Sequence, residues 1–288
     1  MTSRSTPYSP IYGPCPVTER HRPRLRSIRT SQYVALALVS ALAATSVWPV
    51  PGWARSLDSV RFRGTLGICA HPNSLPYAHK NGEPPGFQIE VGRALAEKLG
   101  VSLTPVWVIS SFQIRRADCD IVLDAISNQQ AQEESGLSLS KPYYRGGVIL
   151  AVRPDSQIGT FRDLNGSSRV AVQVGSIASM LLNERGVPIS TYGFQDEMLD
   201  AVANREVDAA IVTPAAAGYF NTTHEGHALR VIGPDEQEPD LVWNVSVGMM
   251  KPDKELRAAI ENAMDQLQAE GTLERIYARY GMALHPPK

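Results

Sequence analysis

The chain has 288 residues, of which 43% are apolar and 20% charged, with a formal net charge of −1 and three cysteines. That length is more than one small core needs and is enough for two compact α/β lobes. The acidic balance beyond residue 54, with 22 basic and 28 acidic residues and no basic run, argues against nucleic acid or an anionic membrane as the main partner.

The first element is a leader, residues 1–54. Arg22, Arg24, Arg26 and Arg29 precede an apolar run from Tyr33 to Val50, and Gly52-Trp53-Ala54 supplies small residues at a cleavage site. A secretory signal and a periplasmic destination are expected, with no membrane contact after cleavage. About twenty residues ahead of the basic cluster exceed what a leader needs, and an uncleaved run would be long enough for an anchor. No cysteine follows the run for lipid attachment, and no twin-arginine pair is present. Removing residues 1–54 takes away six arginines and Glu19, leaving 22 basic and 28 acidic residues, a net charge of −6.

Cleavage also removes Cys15 and leaves Cys69 and Cys119, each at a short apolar run that reads as one of two neighbouring strands. In an oxidising compartment they form either a disulfide or two separate core thiols. A disulfide closing a loop of roughly 50 residues is worth about 4 kcal/mol in the chain-entropy description. No metal is expected, because beyond His71 there is no close Cys/His pairing.

From residue 65 short apolar runs alternate with helical stretches, the pattern of an α/β fold. Thr65–Ala70 reads as a strand and His71–Tyr77 as a polar turn. Phe87, Ile89, Val91, Ala94, Leu95 and Leu99 recur at helical spacing up to Gly100, Val101–Val108 is a second strand, and Cys119–Leu123 a third. The second half repeats the logic. Strands are expected at 169–174, 189–192, 207–212 and 228–232, and helices at 177–185, 196–204 and from Pro214 to about Tyr219. Gly147–Val152 leaves the first lobe and Val242–Met250 returns to it, which gives two crossing strands and a hinge. The expected division is 62–148 plus 243–288 for the first lobe and 149–242 for the second. Two terminal helices follow, 253–269 and 272–280, whose apolar stripes read as core packing.

Motifs for catalysis are absent: there is no Gly-x-Ser-x-Gly elbow, no phosphate-cradling glycine loop and no His-Glu-x-x-His pair. His224 and His227 read as an exposed turn. Asp120 reads as a local capping or strand-edge group, and Asp124, at the end of its strand, as a cleft residue. Ligand-binding groups collect at the carboxyl ends of strands in both halves, where α/β sheets take their ligands. They are Asn73 and Tyr77 after the first strand, Ser127 and Asn128 after the third, Tyr143 and Arg145 before the hinge, Gly175 and Ser176 at a helix start, and Thr213 in the second lobe. Turn chemistry explains each singly; their shared position makes them a set.

Four stretches carry a resemblance: Gly86-Phe87-x-Ile89-Glu90, Leu139-Ser140-Lys141-Pro142-Tyr143, Val207-Asp208-Ala209, and Gly271-Thr272-Leu273-x-x-Ile276-x-x-x-Tyr280-Gly281. In this order, over more than 200 residues, the chain resembles the family-3 bacterial extracellular solute-binding proteins. The resemblance implies the type 2 periplasmic binding protein fold: two α/β lobes joined by two crossing strands, with the cleft between them. A narrower resemblance rests on Ile68-Cys69-Ala70-x-Pro72-Asn73-x-Leu75-Pro76-Tyr77, Ala117-x-Cys119-Asp120-Ile121-Val122, Pro142-Tyr143-Tyr144-Arg145 and Pro214-x-Ala216-x-Gly218-Tyr219-Phe220. These are similar to the branch encoded beside PQQ-dependent methanol and other alcohol dehydrogenases, which implies a dehydrogenase or its cytochrome c as partner.

The chain departs from the amino-acid binders at two anchors. Their Thr-x-x-Arg motif clamps a carboxylate in a bidentate pair; the corresponding stretch here, Ile126–Ala131, has no arginine. Thr213 stands where an aspartate holds the ammonium in those proteins. The leading expectation is therefore a non-enzymatic accessory protein of a quinoprotein alcohol dehydrogenase, without a cofactor of its own. The alternatives are the substrate-binding component of an ABC transporter for a small polar solute or amino acid, and a dehydratase-like enzyme with Asp124 or Glu133 as its acid.

Overall fold

A computed structural model describes residues 55–127, 135–233 and 238–288. The leader, Asn128 and Glu133 lie outside the described residues.

The first described element, which the sequence reading did not assign, is helix α1 (Leu57–Arg63). Ser56 caps it by accepting from the Ser59 amide, and Gly64 ends it in the left-handed conformation. Strand β1 (Thr65–Ala70) follows, then a small hairpin, β2 (Asn73–Ser74) and β3 (Ala78–His79), which starts in the expected polar turn and extends past it. Next come α2 (Phe87–Lys98), β4 (Ser102–Trp107), the short α3 (Ser111–Ile114), β5 (Ile121–Ile126) and β6 (Ser138–Leu139). β7 (Tyr144–Gly147) and β8 (Ile149–Val152) carry the chain into the second lobe. That lobe contains β9 (Val170–Gln173), α4 (Ile177–Glu184), β10 (Ile189–Tyr192), α5 (Gln195–Ala203), β11 (Ala209–Val212), α6 (Pro214–Thr223) and β12 (Arg230–Ile232). β13 (Val242–Met249) returns, and α7 (Lys254–Ala269) and α8 (Thr272–Ala278) complete the first lobe.

The two sheets repeat one plan. In the first the order is β4-β1-β5-β13-β6, with β1 parallel to β4 and β5, and β13 antiparallel to β5; β7 also pairs with β13. In the second the order is β10-β9-β11-β8-β12, again with parallel strands on one side and antiparallel β8 beside β11. Each lobe therefore directs the carboxyl ends of its parallel strands toward one edge, and the chain passes between lobes at residues 147–149 and again ahead of β13.

Cys69 and Cys119 form a disulfide across β1 and the approach to β5, resolving the alternative left open by the sequence. Nearby, Asp120 proves to be more than a strand-edge group. It is almost fully buried, and its carboxylate accepts from Arg55 Nη1 at 3.0 Å, Arg63 Nη2 at 2.8 Å and the Gly67 amide at 2.7 Å. The segment 55–63 is thereby tied to the middle of the sheet.

The lobes also touch beyond the crossing strands. Gly218 of α6 meets Gly281 so closely that a Cβ on either would enter the other's backbone. Tyr219 packs its ring 5.8 Å from Tyr280, and Ala215 joins the apolar core of the first lobe. After α8 the tail runs along the crossing strands. The Arg145 amide donates to His285 O at 2.8 Å, Asn244 Nδ2 donates to Lys288 O at 2.7 Å, and the Lys288 amide donates back to Asn244 Oδ1 at 3.1 Å.

Candidate functional site

A cavity of about 180 Å³ lies where the ligand edges of both lobes meet the crossing strands. The first lobe contributes Tyr77, Asp124 and Ile126, the second Thr213 and Pro214, the crossing strands Tyr144, Arg145 and Trp243, and the tail Met282 and His285. Larger hollows exist, including a groove of about 680 Å³ lined by Trp107, Phe112 and Arg116. That groove belongs to one lobe and lacks a convergent set of polar groups from both, so the interlobe cavity is the stronger candidate.

Asp124 reaches this cavity through a β-bulge. Ala125 faces Ser246 and Val122 faces Gly248, so Leu123 and Asp124 together oppose Val247 alone. Asp124 itself has φ 57°, a left-handed backbone that aspartate tolerates better than most residues. The kink turns its carboxylate into a ring of phenols. Oδ1 accepts from Tyr143 and Tyr144 at 2.9 Å each and from Tyr277 at 3.3 Å, and Oδ2 accepts from Gln88 Nε2 at 2.8 Å. Burial raises the Asp124 pKa, and the hydrogen bonds from Gln88 and the tyrosines offset part of that rise. Burial, reinforced by the Asp124 charge, holds Tyr143, Tyr144 and Tyr277 well above the ordinary phenol range, so they remain donors.

The opposite wall is built by the cap of α6. Thr213 Oγ1 accepts from the Ala216 amide at 3.3 Å and donates to Gln195 Oε1 at 3.0 Å, while its amide donates to the same oxygen at 2.7 Å. Tyr77 spans the cleft and donates to Thr213 Oγ1 at 2.6 Å. Arg145 and Tyr144 are consecutive in β7, so their side chains leave opposite faces. With Tyr144 committed to Asp124, Arg145 is directed to the side of its partner Asn244, beside a separate hollow of about 300 Å³. Arginine and acid share a wall but do not oppose each other as a zwitterion clamp would.

Of the residues expected from sequence, Tyr77, Asp124, Arg145 and Thr213 come together in this wall, and Tyr143 stands behind it as a donor to Asp124. Asn73 lies exposed in the β2–β3 hairpin, and the Ser127 amide is spent on Asn244 O. Gly175 and Ser176 cap α4 outside the cavity, the Ser176 hydroxyl accepting from the Ser179 amide. Sequence reasoning missed Gln88, Gln195, Trp243, Tyr277 and His285. Among the described residues no group of His, Cys, Asp and Glu is arranged to hold a metal ion, and no helix is long and apolar enough to cross a membrane.

The sequence profile of the bacterial extracellular solute-binding proteins, family 3, matches residues 66–283. The chain belongs to this family. Among relatives of this family-3 protein, the histidine-binding periplasmic protein of Escherichia coli K12 is 27% identical over 270 residues, covering 89% of this chain and 97% of its own. The membrane-bound lytic murein transglycosylase F of Desulfosudis oleivorans is 26% identical over 276 residues, but the chain spans only 58% of that enzyme's length. Among solved structures, an ancestral cationic amino acid solute-binding protein, AncCDT-1, superposes with a TM-score of 0.66 at 26% identity, covering 78% of this chain and 99% of that one. The periplasmic binding protein XoxJ of Methylobacterium extorquens AM1 superposes with a TM-score of 0.61 at 21% identity, covering 76% and 98%. The last comparison speaks to the fold alone. With these likenesses, the two-lobed α/β architecture of the family is established for this chain.

Proposed function

We propose that this family-3 protein is exported to the periplasm and binds a small polar solute between its lobes, as the substrate-binding component of an uptake system. The observation that carries this reading is the interlobe cavity, with Tyr77 and Asp124 from one lobe facing Thr213 from the other. A ligand seated there touches both lobes, so it favours the closed arrangement by its differential affinity for it. The relatives that bind amino acids support the class of ligand. The lack of an opposed arginine–acid pair argues against an ordinary L-amino acid. Isothermal calorimetry with a panel of amino acids, amines, polyols and carboxylates tests the reading; heat from no member of the panel would remove it.

A second reading, an accessory role beside a quinoprotein alcohol dehydrogenase, is favoured by one feature of the cleft. Its polar groups already satisfy one another through the Tyr77–Thr213 bond and the tyrosine ring around Asp124. A cleft closed on itself suits a protein whose outer surface meets a partner. Co-purification of the dehydrogenase or its cytochrome c with the tagged protein, together with an empty calorimetric panel, would select this reading. An enzyme built on Asp124 as acid is less well supported, since four donors already occupy its carboxylate; turnover of prephenate or arogenate would establish it.

A further inference from the structure

The cavity has a negative focus, Asp124, to which no arginine or lysine is hydrogen-bonded. Three aromatic residues, Tyr77, Tyr144 and Trp243, share its wall with the Asp124 carboxylate. Ile126 and Met282 add apolar surface. The other ionisable residues of that wall are Arg145, which β7 directs to the opposite face of the strand, and His285, from the tail. The groups that act on Asp124 are neutral donors: Gln88 from α2, Tyr143 and Tyr144 from the start of the crossing, and Tyr277 from α8. Burial raises its proton affinity and no nearby cation is among the causes that lower it. Its Oδ2 accepts a single bond, so acceptor capacity remains.

Resting on the binding reading above, we infer that the cavity selects a small organic monocation, an amine or quaternary ammonium that carries no carboxylate. Aromatic faces attract such a cation through their quadrupoles, most strongly where water is excluded, and the enclosed carboxylate completes the charge. A zwitterion would bring its own carboxylate beside Asp124 without an arginine opposite to receive it. The volume of about 180 Å³ lies below the range of roughly 300–1,000 Å³ seen for drug-sized ligands, so the cation is compact.

Calorimetry on the mature chain separates the possibilities, with choline and n-butylammonium as cations, neohexyl alcohol as the neutral isostere of choline, and glycine betaine as a zwitterion. At least one cation is expected to bind tenfold or more tightly than both the alcohol and the betaine. Asp124→Asn, which keeps an oxygen for the tyrosines, is expected to lower that affinity at least tenfold. Trp243→Leu leaves the tyrosine ring in place and is expected to weaken the cation severalfold, so the inference stays testable should the first variant misfold. Cation affinity should rise with pH as Asp124 ionises, and should still do so in His285→Gln. Equal or tighter binding of the alcohol or the betaine, or a cation affinity unchanged in both variants, overturns the inference and leaves the binding-protein reading standing. Silence from these four compounds overturns the inference too; silence from the whole wider panel removes both.

Discussion

The Tyr77 hydroxyl donates to Thr213 Oγ1 at 2.6 Å, and this single bond joins a loop of the first lobe to the helix cap of the second. Thr213 is itself held by Gln195, so the acceptor is fixed before the lobes meet. Tyr77→Phe removes the bond while keeping the ring against Phe87. A net hydrogen bond contributes about 0.5–1.5 kcal/mol, so the closed population should fall by roughly twofold to tenfold relative to the open one. Interlobe distances from paired spin labels would report the change.

The raised pKa of Asp124 gives a pH dependence of definite sign. Between its ordinary unfolded value, about 3.9, and its raised folded value, the native state holds the extra proton, so stability falls as pH rises through that window. Below the window the contribution is fully present. Asp124→Asn should flatten this part of the profile, measured by urea midpoints at a series of pH values.

At the other end of β5, Asp120 is a buried charge with two arginine partners. Asp120→Ala removes the acceptor shared by Arg55 and Arg63, of which Arg55 keeps Asp118, and leaves the buried Gly67 amide without its acceptor. An unsatisfied buried amide costs about 1–3 kcal/mol, and the part-exposed arginines add less, so a clear drop in the unfolding midpoint is expected. Arg63→Ala should cost less, because Arg55 remains and Arg63 is the more exposed of the two.

The Cys69–Cys119 disulfide closes a loop with a sequence separation of 50. Its removal in Cys69→Ala/Cys119→Ala should cost about 4 kcal/mol, mainly through a less restricted unfolded chain. Thermal unfolding with and without reductant provides the check: the wild type should lose stability on reduction and the double variant should not change.

Gly218→Ala places a methyl group against the Gly281 backbone, which has no side chain to yield. The helix α6 must then move away from the first lobe. A larger radius of gyration in solution scattering and weaker cleft binding are the expected outcomes, with the helical content preserved.

Much of the fold was legible because each element announces itself locally. Gly100 stops α2, Pro214 starts α6, and the apolar runs of β1, β9 and β11 stand between turns. The family motifs also acquire a physical meaning that spacing alone does not show. Tyr280 of the terminal motif accepts from the Gly86 amide and donates to Glu90 of the helix-opening motif, so two signatures nearly 200 residues apart form one packing unit with Phe87. The site was half legible. Tyr77, Asp124 and Thr213 follow apolar runs of the sequence, where position alone nominates them, although β5 continues past Asp124 to Ile126. Trp243 and Tyr277 are not nominated in this way, because one lies in a returning strand and the other in a terminal helix, where the sequence carries no signal of a cleft. That Asp124 would turn inward depends on a bulge opposite Val247, a two-strand relationship invisible in either segment by itself.

The tail from Gly281 to Lys288 gives the molecule a built-in reporter. Because its backbone is fastened to Arg145 on one connecting strand and to Asn244 on the other, any bending of the hinge must tug on it or let it slip. A fluorophore attached just past Lys288 would sense that strain from outside the cleft and read out lobe movement without occupying the space where a solute sits.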